Sequence, residues 1–573
     1  MRNLWASLTV GLASTDASAK EPKHAIQNSN HIFNAIHSSM RQWGSSLNHN
    51  GMSLFLATVP KGVELYHGTS EPFRINGTEW LAFEPEHALV FARSHRRPPP
   101  GRGGPPGPGS HPHDDDAWHP SERSDERSRY MPWHDDADDD DLEFRRPHHE
   151  DRPLTHTAGQ RERARVPHQQ QRLFIEESDP EAESYGYLHT YQPKRDLRLL
   201  YIDGQSAAKS DKGTLDMQDI VLLHDNPPPK GADDHPPLRE PSKGGRRRPG
   251  GPMGEVYRAE KLCELAQTEW EGQVDGFLRM ELGFEIILCS FEQDLEVKRI
   301  TQATSQDMGG PPGHDGPGNG LNYYQAVASR FDGIGGHRVT LDYDNFVSLF
   351  AAEGATFFDE NNLPRARNDS SVIRSFLEAT KKMVLQPPAN KAVDWQAVDW
   401  QAVADMIVTK YADRIEYLAS SEAGHLQTFK AELEQLFRPF TDYGNRNTTL
   451  EIHRCATQYV PELSSSSGLA AVSTLNVATT ICSTLSHAAE ASTYKEAVGR
   501  VQSLKSWLAW PTWKRCRGCG YNEVCFVPIW PMGGEKEHEH PRCVSNMSEV
   551  SRGYWGDRGP GPHNKSKPPK KHE

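Results

Sequence analysis

LYHGTSEPFRINGTEWLAFEPEHALVFAR, residues 65–93, decides how the N-terminal half of the chain is read. A short apolar strand ends in His67-Gly68-Thr69, and a second, aromatic strand from Trp80 to Phe83 runs into the helix-like PEHALVFA. Strand-like runs bounded by turn residues and followed by a helical apolar spacing indicate mixed α and β structure. His67 then admits two readings, a ligand contact or a satisfied core histidine, and its neighbours in sequence have to separate them.

The 573 residues exceed what a single core commonly holds, so more than one domain is expected. Forty-two prolines and 46 glycines are unevenly spread. Segments rich in Trp, Tyr, Leu and Val alternate with segments too polar to repay their ordering entropy. The formal net charge of −14 argues against a nucleic-acid surface, and the basic runs are short.

The N-terminus, MRNLWASLTVGLASTDASAKE, has the three parts of a signal peptide: Arg2, a short apolar stretch from Leu4 to Ala13, and the small residues Ala17-Ser18-Ala19 before a cleavage point near Lys20. No later run approaches the length that spans a bilayer, so a secreted, extracellular protein without a transmembrane segment is expected. Five Asn-x-Ser/Thr sequons, at Asn76, Asn368, Asn447, Asn546 and Asn564, and an even count of eight cysteines agree with an oxidising compartment.

Composition divides the chain into a signal peptide (1–19), an α/β domain (26–300) with polar insertions at 96–172 and 226–254, a Gly/Pro linker (301–320), a mostly helical domain (321–510), a Cys-rich segment (511–556) and a basic tail (557–573). Within the first domain, GYLHTYQPKRDLRLLYIDG reads as two paired strands around Leu188 and Leu200. Leu262, Leu265, Ala266 and Trp270 have helical spacing, and Phe284 to Phe291 reads as a buried strand. In the second, Trp400, Val403, Ile407, Tyr411, Ile415 and Leu418 make one helical stripe, helices are expected at 423–440, 467–490 and 493–509, and HRVTLDYDNF is the single strand-like run. The tandem copy VDWQA at 393–397 and 398–402 turns a helix by about 500°, so Trp395 and Trp400 cannot share a core face, and Trp395 is expected to be the more exposed.

Cys516, Cys519, Cys525 and Cys543, with His538 and His540, could hold zinc, but the signal peptide favours two disulfides of undetermined connectivity. Cys455 with Cys482, and Cys263 with Cys289, are further candidate pairs. Ser206 in Gly-Gln-Ser-Ala-Ala partly matches a nucleophile elbow, though KSDKGTLD is a poor helix to follow it. No phosphate-cradling glycine loop and no His-Glu-x-x-His occurs.

Taken in order, a strand ending His-Gly-Thr, the unit WLAFEPEHALVFA, strands around Leu188 and Leu200, a helix leading to Asp275-Gly276-Phe277 and the strand FEIILCSF resemble the ADP-ribosyltransferase fold over roughly residues 63–295. The resemblance implies an α+β protein: an ADP-ribosyltransferase-like β domain, then the helical domain and the Cys-rich segment. It implies NAD as ligand, with His67 on a ribose hydroxyl, Gly68 offering its backbone to the nicotinamide amide, and Trp80 or Phe83 where the family keeps a stacking tyrosine. Glu285 would be the catalytic carboxylate, with Glu281 competing for that position. The tyrosine itself has no obvious counterpart. ADP-ribose would pass to a protein acceptor or to water, and no metal is expected. The alternatives are a non-catalytic secreted or cell-surface scaffold and, from Ser206, a serine hydrolase.

Overall fold

The computed structural model describes residues 28–92, 186–229, 254–303, 321–328, 333–335, 337–387, 398–460, 468–530, 532–550 and 554–556. The expected signal peptide, the 96–172 insertion, most of 226–254, most of the 301–320 linker, Trp395, Asn564 and the 557–573 tail lie outside them.

Nine strands form one sheet: β1 (Asn50–Val59), β2 (Leu65–Thr69), β3 (Glu79–Ala82), β4 (Gly186–Pro193), β5 (Leu197–Gly204), β6 (Gly276–Met280), β7 (Phe284–Leu288), β8 (Leu295–Ala303) and β9 (Thr340–Ser348). Their order is β8-β4-β2-β3-β7-β6-β5-β1-β9. Only β5 and β6 run parallel.

The expected pairing of the strands around Leu188 and Leu200 is corrected here. β4 pairs with β2 and β8, whereas β5 pairs with β1 and β6. In a flat sheet, two strands five places apart would lie roughly 24 Å from each other at ~4.8 Å per strand. The link from Pro193 to Leu197 reaches at most about 14 Å. The sheet therefore curls back on itself, and the Gly62 amide meets the Pro193 carbonyl at 3.3 Å where the two parts approach. Arg195 pins the link through both Asp275 (2.6 Å) and Asp294 (2.7 Å).

The helices include α1 (Ser29–Ser38), α2 (Gln42–Leu47), α3 (Pro85–Leu89), α4 (Glu255–Thr268), α5 (Phe291–Asp294), α6 (Leu321–Ala328), α7 (Ser370–Leu385), α8 (Trp400–Ala419), α9 (Leu426–Phe437), α10 (Thr448–Thr457), α11 (Leu469–Ala489), α12 (Tyr494–Leu508) and α13 (Glu535–Glu539). Asp399 caps α8 by accepting from the Ala402 amide at 2.9 Å, and every residue of the expected Trp400-to-Leu418 stripe is buried. Residues 321–510 do not stand apart from the sheet. β9 is hydrogen-bonded along β1, α11 packs on α1, and one hydrophobic core runs from Ile32 through Ile287 to Leu508.

At 21 residues α11 is long and apolar enough to cross a bilayer, which corrects the expectation that no later run is. Its Val477, Ile481 and Leu485 are fully buried in the protein core, and Cys482 is bonded to Cys455 of α10. All eight cysteines are paired: Cys263–Cys289, Cys455–Cys482, Cys516–Cys525 and Cys519–Cys543. The last two enclose a small hairpin, β10 (Val524–Phe526) with β11 (Arg542–Val544). A satellite core joins this segment to Val90 after α3, Leu282 in the β6–β7 turn, and Tyr323 and Tyr324 of α6. The Cys-rich segment thus fastens together the elements that surround the cleft described next.

Candidate functional site

β2 and β3 share a single ladder pair, Tyr66 with Ala82. Past that pair no backbone ladder joins them, and the imidazole of His67 takes over, its Nδ1 lying 2.7 Å from the Trp80 carbonyl. A carbonyl only accepts, so Nδ1 carries the proton and Nε2 keeps its lone pair. Burial holds His67 down at about 4, so the ring stays neutral at physiological pH.

The divergence opens a cleft of about 430 Å³. Tyr66, His67 and Gly68 of β2 form one wall, Glu79 to Ala82 of β3 a second, and His87, Ala88 and Phe91 a third. Gly68 is there because α3 crosses directly above it: a Cβ at this position would sit 1.9 Å from the Ala88 carbonyl oxygen. Pro85 at the start of α3 presets the helical φ for this short turn. The His87 Nδ1 and the Tyr323 hydroxyl lie 2.8 Å apart, tying α3 to α6.

The floor is charged. Glu285 on β7 stands between Ala82 of β3 and Arg279 of β6 in the ladder. Directly opposed residues share a face, and Arg279 pairs with Glu285 at 2.8 Å. Arg279 also contacts Glu255 at the start of α4 and donates to the Gln218 side chain at 2.8 Å. Lys209 contacts Glu281 in the β6–β7 turn and lies 3.6 Å from Glu255. Its ammonium is 5.5 Å from the ring centre of Trp530, which arrives from the Cys-rich segment. The Gln205 side chain donates to the Pro528 carbonyl at 2.7 Å and holds that segment in place.

Burial works against each charge on the floor, and the neighbours decide the outcome. For Glu255, Arg279 leads Lys209 and Arg258 in overcoming burial and holds the carboxyl down at about 2. For Glu281 burial prevails, with Glu285 and Glu255 adding to it, and the carboxyl is pushed up to about 7 despite Lys209. Burial also opposes the Lys209 ammonium, but Glu255, Glu281 and Glu285 outweigh it and raise its pKa.

The cleft brings together four of the five residues expected from sequence: His67, Gly68, Trp80 and Glu285. The competing Glu281 lines it as well. Phe83 does not; it is fully buried in the main core, because side chains alternate along β3 and its end turns inward. Ser206 is also fully buried, its hydroxyl donating to the Ile202 carbonyl at 2.8 Å, which is not the exposed position a nucleophile elbow supplies. The zinc alternative at the terminal cysteines gives way to the two disulfides. Sequence reading missed Lys209, Glu255, Arg279 and Trp530. An arginine inside the apolar run FLRMELGFEIIL was the one available signal, since a strand interior tolerates a charge only when it is paired.

Architecture and cleft define an α+β chain with an aromatic-walled, ion-paired pocket at a gap in its sheet. The chain belongs to the family of the YPL277C N-terminal domain, whose pattern matches residues 23–313. That span contains every cleft residue named above except Trp530. The chain is similar to two Saccharomyces cerevisiae proteins, "Uncharacterized protein YOR389W" and "Uncharacterized protein YPL277C", each 28% identical over 271 residues, or 47% of this chain. The aligned part makes up 32% of the first and 42% of the second, so the chain spans less than half the length of either. No solved structure matches it.

Proposed function

We propose that the cleft binds NAD and cleaves its nicotinamide–ribose bond, passing ADP-ribose to a protein acceptor or to water. The observation that carries this reading is that His67, Gly68, Trp80 and Glu285, drawn from three strands, face one cavity of about 430 Å³. His67 Nε2 would accept from a ribose hydroxyl, the Gly68 backbone would meet the carboxamide, and Trp80 would stack on the ring. As the bond breaks, positive charge builds on the sugar, and a preorganised Glu285 carboxylate would stabilise it by several kcal/mol. The aromatic walls would orient the leaving ring and exclude water.

Secretion is part of the same proposal. Four disulfides support an oxidising compartment, and the sequon residues Asn76, Asn368 and Asn447 are exposed.

The test is NAD consumption by the purified secreted protein, native against Glu285→Gln, which keeps the shape and removes the charge. Turnover in the native chain that is lost in the variant supports the reading. No turnover, together with no rise in melting temperature on adding NAD, would sink it. A second reading, a non-catalytic binding scaffold, is favoured by the Arg279–Glu285 pair, which already neutralises the carboxylate the chemistry would use.

A further inference from the structure

Two histidines meet at the seam between the sheet and the Cys-rich segment. His49 lies between α2 and β1 and is 1% exposed, yet neither of its ring nitrogens has a hydrogen-bond partner among the described residues. The rings of His538 on α13, Tyr554 and Trp555 lie 5.3, 6.0 and 4.8 Å from it, centre to centre, and all three belong to the Cys-rich segment. His538 Nε2 lies 3.0 Å from the Leu47 carbonyl, which only accepts, so Nε2 carries the proton. Lys514 donates to the His538 carbonyl at 2.9 Å and brings a third basic group to the seam.

The carboxyls on the surrounding elements are engaged elsewhere or exposed. Glu537 accepts from the Gly534 amide at 3.0 Å, Asp203 of β5 accepts from the Ser53 amide at 2.8 Å, and Glu535 and Glu539 are exposed, with Glu539 acting on Lys514. Of the other titratable groups there, Lys536 and His540 are basic and exposed, and burial keeps the Tyr554 hydroxyl neutral. Burial, His538 and Lys514 hold His49 far below its ordinary value, and burial with Lys514 holds His538 at about 4, so both rings are neutral at physiological pH. A proton added to either ring would be enclosed beside Lys514 and the other imidazole, and neither of those is a counter-ion.

The segment on the far side of this seam is built to hold together when it moves. Its disulfides, Cys516–Cys525 and Cys519–Cys543, both close within it, and the other two, Cys263–Cys289 and Cys455–Cys482, lie outside it, so no disulfide crosses the seam. What fastens it to the sheet is noncovalent: Gln205 on the Pro528 carbonyl, His538 on the Leu47 carbonyl, Val527 packed with Trp43 and Leu47, and Trp530 and Tyr554 packed with Ala208. We infer that the seam is an acid-released latch: protonation of His49 and His538 drives the stapled Cys-rich segment off the sheet as a unit and carries Trp530 away from Lys209, which opens the cleft. Once undocked, the two imidazoles reach water and take up protons near their ordinary value of 6.5. Docking is therefore fully supported above that pH, and below it each histidine shifts the equilibrium toward release by up to about tenfold per pH unit. The latch holds whichever ligand the cleft takes.

The experiment is hydroxyl-radical footprinting of the full chain, disulfides intact, from about pH 7.5 to 4.5, read by mass spectrometry at Trp530 and Tyr554 of the segment and at Trp270 and Tyr201 of the main core. All four side chains are buried, so all should be protected at neutral pH. On acidification Trp530 and Tyr554 should become reactive while Trp270 and Tyr201 stay protected, with the released-to-docked ratio growing up to about 100-fold per pH unit for two histidines. His49→Phe removes no hydrogen bond, keeps a ring in place and cannot be protonated. Its transition should move to lower pH and flatten to about tenfold per unit. His538→Gln keeps a donor for the Leu47 carbonyl, should flatten the transition in the same way, and decides the matter if His49→Phe does not fold. A native chain in which Trp530 and Tyr554 stay protected at pH 4.5, or become exposed in step with Trp270 and Tyr201, overturns the latch. So does a His49→Phe or His538→Gln variant with the native midpoint and steepness.

Discussion

His67 donates from Nδ1 to the carbonyl of Trp80 at 2.7 Å, so one side chain closes the gap that the backbone ladder of β2 and β3 leaves open. His67→Phe fills similar volume but strands the Trp80 carbonyl, and an unsatisfied buried acceptor costs about 1–3 kcal/mol. The urea midpoint should drop accordingly. NAD affinity should fall about 3- to 10-fold for the one lost hydrogen bond. Calorimetric titration reads the second effect separately, and an unchanged Kd would remove His67 from the ligand contacts.

Acid should destabilise the fold. His31, His37, His67 and His538 are each held at about 4, chiefly by burial, against an ordinary value of 6.5. Between those values the unfolded chain binds protons that the folded one refuses. Their contribution is complete above 6.5 and is lost as pH falls toward 4. Asp203 and Glu281, pushed up to about 7 by burial, act in the opposite sense: what they contribute is present at low pH and is lost as pH rises through 7. Near pH 5 His49 and His189, also lowered by burial, add to the four histidines, and Glu79 and Asp294, raised by burial, add to the two carboxyls; the histidines remain in the majority, so stability should fall on acidification. Urea midpoints at pH 6 and pH 5 check this, and a midpoint that rises on acidification contradicts it.

Arg279 is fully buried and serves both Glu255 and Glu285. Arg279→Met leaves two carboxylates short of a counter-ion and should cost about 3–5 kcal/mol. Glu285→Gln leaves Arg279 with Glu255 and with Gln218, and should cost less. Chemical denaturation of the two variants side by side tests the ranking, and equal losses would contradict it.

Gly68→Ala places a methyl group 1.9 Å from the Ala88 carbonyl oxygen and 2.7 Å from the Ala92 amide. Backbone, not a mobile side chain, must yield, so a loss of about 1–3 kcal/mol is expected, together with displacement of α3 from the cleft wall. Thermal unfolding with and without NAD separates the two effects. A variant as stable as the native chain would show that α3 moves freely.

How far the sequence reached follows from range. The strand in FEIILCSF and the α8 stripe were legible because one apolar period identifies them; α8 is observed as expected, and β7 covers Phe284–Leu288, with Phe291 already opening α5. The hairpin read around Leu188 and Leu200 failed because tight turns usually join neighbouring strands, while this one joins two parts of a curled sheet. His67, Gly68, Trp80 and Glu285, singled out by the order of short local motifs, line one cleft. Lys209 sits in the polar run SAAKSDKG and Trp530 in a Cys-rich stretch 245 residues beyond Glu285, and neither position has local periodicity that points to the cleft. Their roles exist only through tertiary contact.

The place of Trp530 also sets a clock. Glu285 and the walls of the cleft leave the ribosome well before it, and at ~5–20 residues per second the remaining 245 residues take roughly 12–50 s to synthesise. During that interval the nascent chain has the cleft's three walls and its charged floor but not the indole that lies over Lys209. The pocket is therefore completed late in synthesis, after the Cys-rich segment has emerged and docked, and a polypeptide stopped after residue 313 would carry the matched family region with its cleft unfinished.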